Sequence, residues 1–266
     1  MNVPDPGPIQ LPPRLQGMLD SSRALSDRAT EGVTTPERIN GLLRKLESYA
    51  SREIDRLEHE VGEAAAKGKG KAVACSMGCH WCCHQVVAAT IPEVLLLAQW
   101  IRENFDPGQI DALKSRCAAY AQTLAEYPGV ERVLHSATCP MLVDGLCTAH
   151  AARPLICRGY NSTDANVCKR FLFEGKHDSG PVPTLPELIQ TAGVVRWGLH
   201  LMLRVRGMPG DLVELGLAIA IALENPDATE RWLGGEDVFA GARSPAPPAP
   251  QFERLVRDEI RYRNAR

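Results

Sequence analysis

Nine cysteines stand between Cys75 and Cys168, and four of them fall in one short run, Cys75-Ser-Met-Gly-Cys79-His-Trp-Cys82-Cys83. Thiolates are soft donors that select zinc, iron and iron-sulfur clusters over calcium or magnesium. Adjacent residues such as Cys82 and Cys83 project in different directions, so either the run feeds two sites or one of that pair lies behind the ligands. Further donors must then come from elsewhere in the chain. A second group offers them: Cys139-Pro-Met-Leu, Gly145-Leu-Cys147 and Arg153-Pro154-Leu-Ile-Cys157-Arg158-Gly-Tyr160. The expected metal ligands are Cys75, Cys79, Cys82, Cys83, Cys139, Cys147 and Cys157, holding zinc or iron, with an iron-sulfur cluster as the other form of the same chemistry.

Other residues near the cysteines suggest supporting roles. Arg153 and Arg158 would offset the charge of several thiolates or bind an anionic substrate, and Tyr160 with Asn161 could act as general acid and hydrogen-bond partner. His150 sits one helical turn from Cys147 and is the best imidazole candidate, ahead of His80 and His84. Trp81 would shield the site from water. Cys168 is either an eighth ligand or a spectator. Cys117 falls on an apolar helical stripe with Ile110, Leu113, Tyr120 and Leu124, which explains it as a core side chain.

The order CxxxCxxCC, CPxL, GxC and RPxxCRxY resembles the CxxCxxCC family, also called the YkgJ family of zinc- or iron-chelating proteins, over residues 75–160. The resemblance implies metal chelation by the cysteines. Flagellin lysine methylases carry a similar arrangement, which implies an iron-sulfur enzyme of methyltransferase type as the alternative. The Cys75-x3-Cys79-x2-Cys82 spacing also resembles the radical-SAM cluster loop. That fold, however, alternates strands with helices, and strand-like runs are scarce here.

The elements that must position these residues are mostly α-helical. Thr34 or Thr35 caps a long amphipathic helix that Pro36 and Glu37 begin and that runs through Ile39, Leu43, Leu46, Ala50, Ile54, Leu57 and Val61, ending in the glycines and lysines of 67–71. Thr90 to Glu93 forms a capping box, Asp106 to Gln109 starts the next helix, and Thr184 to Glu187 is expected to cap a helix over 188–205. A further helix is expected over 211–224, with a short one opened by Asn225 and Pro226. The stretch from His135 to Phe173 reads as loops with short turns of helix. This gives one helical domain over residues 34–240, built around a loop-rich, cysteine-ligated metal centre at 75–168. Residues 1–33 are expected to form a poorly ordered leader with one short turn of helix around Leu15 to Leu25, and residues 241–266 a Pro/Ala spacer followed by a basic tail over Phe252 to Arg266, helical or, the favoured reading, solvated and partly frayed.

Composition narrows the partners. The formal charge is −2 with acidic and basic residues interspersed, so no basic field points to nucleic acid. The longest apolar run, Leu215 to Leu223, is about half the roughly 18 residues of a membrane span. No basic stretch followed by an apolar run opens the chain. A cytoplasmic protein is expected, in which thiols persist and clustered ones bind metal. Hydrolase and nucleotide-binding readings find no matching motif.

Overall fold

The computed structural model describes residues 10–32, 34–127, 129, 137–173, 181–246 and 249–265. Its first helix, α1 (Pro13–Thr30), occupies the region expected to be a poorly ordered leader. The sequence is polar, yet the polar side chains are internally satisfied: Ser26 Oγ donates to the Ser22 carbonyl and Thr30 Oγ1 to the Ser26 carbonyl, both at 2.8 Å. Such bonds to the preceding turn let small hydroxyl residues be buried in a helix interface. Residues 1–9 of the expected leader lie outside the described residues.

The long helix α2 (Pro36–Ala66) starts and stops as expected, with the Thr35 side chain accepting from Arg38 N and Lys67 capping the end. It buries Ile39, Leu42, Leu43, Leu46, Ala50 and Ile54. After the first cysteine run come β1 (Ala88–Ala89), α3 (Ile91–Asn104) and α4 (Pro107–Ala125). Both capping boxes form: Glu93 Oε2 accepts from Thr90 N at 2.8 Å, and Asp106 Oδ1 accepts from Gln109 N at 2.9 Å. Cys117 is buried on the stripe of α4, away from solvent, as its helical spacing predicts.

The segment expected to be loops is more structured than its prolines and glycines suggest. It holds a hairpin, β2 (Leu142–Val143) paired antiparallel with β3 (Leu146–Cys147), then α5 (Leu155–Gly159) and α6 (Ala165–Phe173). Its start at His135 lies outside the described residues. Next comes α7 (Pro186–Val205), which is not capped by Thr184: its cap position is Leu185, without a side-chain hydrogen bond. Asn161 does the holding instead, its Oδ1 accepting from Leu185 N at 2.8 Å and its Nδ2 donating to Leu185 O at 3.0 Å.

The helix expected from residue 211 begins later, as α8 (Leu215–Glu224), because β4 (Val213–Glu214) pairs antiparallel with β1. Glu214 caps α8 by accepting from Gly216 N and Leu217 N. A short α9 (Ala228–Leu233) follows, and α10 (Pro250–Asn264) ends the described chain. The basic tail is thus a helix, and not the solvated, frayed terminus favoured from sequence: it buries Phe252, Val256 and Glu259 against α7 and α1. Arg23 pairs with Glu259 at 2.8 Å and Arg263 with Asp27 at 2.9 Å. Residues 247 and 248 of the spacer and residue 266 lie outside the described set.

Of the ten α-helices among the described residues, α1, α2, α3, α4, α5, α7, α8 and α9 contribute buried residues to one principal apolar cluster. Two glycines set close helix crossings. A β-carbon at Gly198 of α7 would lie 2.0 Å from Ser22 Oγ and 2.7 Å from Arg23 N of α1. A β-carbon at Gly159 would lie 2.6 Å from the Leu188 carbonyl oxygen. The second crossing presses α5, and with it Cys157, onto α7. Among the described residues, no helix is long and apolar enough to cross a membrane.

Candidate functional site

The first cysteine run is held at both ends by backbone. Ala74 N donates to the Ser162 carbonyl at 2.8 Å, and the Cys75 thiol lies 3.9 Å from the same oxygen. A tight turn closes from Ser76 O to Cys79 N at 2.9 Å, with Gly78 in the left-handed region, a position glycine takes without a Cβ penalty. A 3-10 turn over Trp81–His84 then carries Cys82 and Cys83. Past it, Cys139 N donates to Cys83 O at 2.7 Å and Ala137 N to His84 O at 3.1 Å. These two bonds join the cysteine groups although more than fifty residues separate them in sequence.

The hairpin delivers Cys147. Its turn, Asp144-Gly145, has both residues at positive φ, the type I′ geometry that suits the right-handed twist of paired strands. A β-carbon at Gly145 would lie 3.5 Å from the His80 ring, so the hairpin tip rests against the first run. Cys157 is set by Glu93, whose Oε1 accepts from Leu155 N at 2.8 Å at the start of α5. Glu93 is buried and does two jobs, capping α3 and docking α5. The capping box made the first legible in sequence; nothing local signalled the second.

The thiols form two groups that share Cys82. Cys75, Cys79, Cys82 and Cys168 interact electrostatically on one side. Cys82, Cys139, Cys147 and Cys157 do so on the other. Cys168, left open by the sequence, thus joins the first run through α6, which packs on the 3-10 turn with Lys169 Nζ 5.9 Å from the Trp81 ring. Cys83 takes a different part: its sulfur is hydrogen-bonded to Cys82 and its carbonyl anchors Cys139. All nine cysteines are free.

Protonation is favoured at Cys75, Cys82, Cys139, Cys147, Cys157 and Cys168. Cys82 is pushed up first by its hydrogen bond to Cys83 and then by burial. Burial pushes Cys139 and Cys157 each up to about 12, and Cys75 up to about 11, with neighbouring thiols adding to the shift. Repulsion among buried thiolates is relieved by protons or by a cation. Arg153 opposes the rise at Cys82, Cys147 and Cys157.

The expected supporting residues sort differently. Tyr160 faces the shared zone, accepting from Gln85 Nε2 at 3.3 Å and interacting with Cys168, Cys82 and Cys75. Arg158 reaches across to α2, donating to Glu47 Oε2 at 3.2 Å and Ser51 Oγ at 3.3 Å. That ion pair is partly buried, its side chains 13% and 14% exposed, and burial pushes the Glu47 carboxyl up to about 7 despite its partner. His150 is engaged by Arg153. His80 Nδ1 and His84 Nε2 are 3.1 Å apart, and His84 Nδ1 is 3.1 Å from Thr138 Oγ1. Asn161 serves the backbone of α7 rather than the cysteines. Arg196 of α7 was not indicated by any motif; it donates to Ala88 O at 2.7 Å and interacts with Cys157 and Glu93.

Among the described residues, no group of three or more His, Cys, Asp or Glu side chains stands ready to hold a metal ion. The thiols are gathered within electrostatic range of one another, short of a closed coordination shell. The donor set nonetheless fits a soft cation in its chemistry: partly buried thiols, mutually repelling once ionised, beside arginines with unpartnered buried Nε atoms. Comparison with family models, with curated proteins and with solved structures returns no match for this chain.

Proposed function

We propose that this is a cytoplasmic zinc- or iron-binding protein of the CxxCxxCC type. The observation that carries the reading is the convergence of free cysteines from the 75–83 run, the 137–147 segment, α5 and α6 on Cys82. Cys82, Cys139, Cys147 and Cys157 would hold the metal, with Cys75, Cys79 and Cys168 as the adjoining donors. A cation of this class would supply the positive charge that makes their ionisation favourable and would lock the loops into one arrangement. Side-chain adjustment of the thiols closes the shell, a rearrangement that rotation about the cysteine χ1 angles can provide. Helices α2, α3 and α7 hold the surrounding backbone.

The test is metal content together with the visible spectrum of protein purified without oxygen. Stoichiometric zinc without a visible band supports a binding module. Iron with sulfide and a broad absorption band supports an iron-sulfur protein, and methyl-donor binding becomes the next assay. Cys82→Ser is expected to lose the metal in either case. Protein that takes up neither metal on reconstitution would refute the reading.

A further inference from the structure

Helices α1 and α2 leave between them an open cavity of about 670 Å³, within the roughly 300–1,000 Å³ usual for small-molecule sites. Three exposed cations line it from α2: Arg44, Lys45 and Arg52. Spacings of seven and eight residues return to one face of a helix, so the three share a wall. Among the described residues, no carboxylate lies within 4.0 Å of any of them. Carboxylates are at hand on both helices but serve other partners. Glu53 pairs with Arg14 and Arg56, Glu60 with Arg56, and Glu47 with Arg158. Arg44 acts on Glu47 only from beyond that distance. Asp20 of α1 accepts from Gln16 and pairs with Arg23. In a chain of formal charge −2, this excess of positive charge is local. Like charges on one wall repel, and a multiply charged anion between them relieves the repulsion.

The rest of the wall suits an anion with an organic part. Ser48 Oγ accepts from Arg52 Nη1 at 2.7 Å, which holds that guanidinium back along the helix. Leu25 and Tyr49, half-buried against the main core, add apolar surface to the cavity. Gly41 lines it with no side chain at all, and a β-carbon there would meet nothing within 4 Å. Glycine weakens a helix interior, and neither a positive φ nor a close neighbour calls for it at this position. Gly17 and Gly62 are equally uncrowded, so what counts at Gly41 is its place in the cavity wall, which it keeps clear.

Phosphate is the anion that matches these donors. Arginine forks bind two phosphate oxygens at once, and lysine adds a point charge. Three cations suit a diphosphate better than a single carboxylate. We infer that the cavity between α1 and α2 binds an organic diphosphate, with its phosphates on Arg44, Lys45 and Arg52 and its organic group on Leu25 and Tyr49. None of these residues belongs to the cysteine centre, so binding here needs no metal and goes beyond the proposed function.

The experiment titrates ADP, inorganic pyrophosphate and adenosine calorimetrically into the full-length protein at about 0.15 M salt. It compares wild type with Gly41→Leu, with the double variant Arg44→Gln and Arg52→Gln, and with Arg56→Gln, and checks the folding of each by circular dichroism. Wild type is expected to bind ADP, to bind pyrophosphate about tenfold more weakly, and to show no measurable heat with adenosine. Gly41→Leu fills the cavity and is expected to abolish ADP binding while unfolding no more readily than wild type. The double variant is expected to lose about 100-fold, near tenfold for each charged hydrogen bond. Arg56 is already paired with two carboxylates, and Arg56→Gln is expected to bind as wild type does. Absence of saturable ADP binding in wild type overturns the site. So does unchanged ADP affinity in either folded cavity variant, which would put the binding elsewhere. A loss in Arg56→Gln equal to that of the double variant also overturns it, since it shows diffuse attraction to a basic helix. Pyrophosphate binding as tight as that of ADP overturns the part given to Leu25 and Tyr49.

Discussion

The seam between α1, α7 and α10 and the cysteine centre differ in how they bury polar groups. In the seam each buried hydroxyl has a partner in its own helix or the next, the charged groups of α10 pair with α1 and α7, and His200 Nε2 is buried without a partner. In the centre, thiols are held protonated by burial and by one another, and guanidinium nitrogens go without acceptors. On the proposed function, such a difference separates a region folded for its own stability from one that would take a further charged group. Buried polar atoms are satisfied almost everywhere in proteins, and exceptions cluster where something else binds.

The sharpest way to break the seam is Gly198→Ala. The added carbon would meet Ser22 Oγ and the Arg23 backbone, so α1 must shift from α7. The expected cost is about 3 kcal/mol in urea unfolding, at the upper end for overpacking, with metal uptake per folded molecule unchanged. Gly159→Ala tests the opposite side of the comparison. It forces α5 away from the Leu188 carbonyl, and the expected result is a loss of about 2 kcal/mol together with weakened metal binding, because Cys157 moves with the helix.

Acid and base titration should separate the two regions by sign. His200, stacked on Phe252 in the seam, is held neutral by burial with its pKa lowered to about 4. Its unfolded form binds the proton more readily, so it makes stability fall as pH drops from the ordinary histidine range toward 4. Glu47, beside the centre, is raised to about 7. Its folded form holds the proton more readily, so it makes stability fall as pH rises from the ordinary carboxyl range toward 7. The two slopes oppose each other between those limits, each at most about 1.4 kcal/mol per pH unit. Wild type is expected to be nearly flat there. Glu47→Gln should leave a stability that climbs with pH, and His200→Phe one that declines; parallel profiles for the three proteins would contradict this.

The smallest expected effect is at Gln85→Ala. Losing the hydrogen bond to Tyr160 should cost about 1 kcal/mol in chemical denaturation, without altering the unfolding of α10. A loss several times larger would mean that Gln85 supports more of the centre than one side-chain bond.

Much of the frame was legible because its signals are local. Thr35-Pro36, Thr90 to Glu93 and Asp106 to Gln109 name their helix starts through capping, which depends only on residues three apart. Helical spacing likewise assigned Cys117 to the core. The same logic failed for α1 and α10, whose polar composition reads as solvated until each finds the other and α7. It failed also at Val213–Glu214, where pairing with Ala88–Ala89 overrides the helical pattern, and at Thr184, where Asn161 holds Leu185 from outside the helix.

By itself the sequence determined the kinds of side chain available as donors and the helical frame between them, because residue type fixes donor character and short-range spacing fixes helices. Only the tertiary structure decided that Cys82 interacts with two thiol groups, that Cys168 joins one of them, that Glu93 docks α5 and that Arg196 comes within electrostatic range of Cys157. These are contacts between segments distant along the chain, and their geometry follows from how helices pack, which no local pattern of residues encodes.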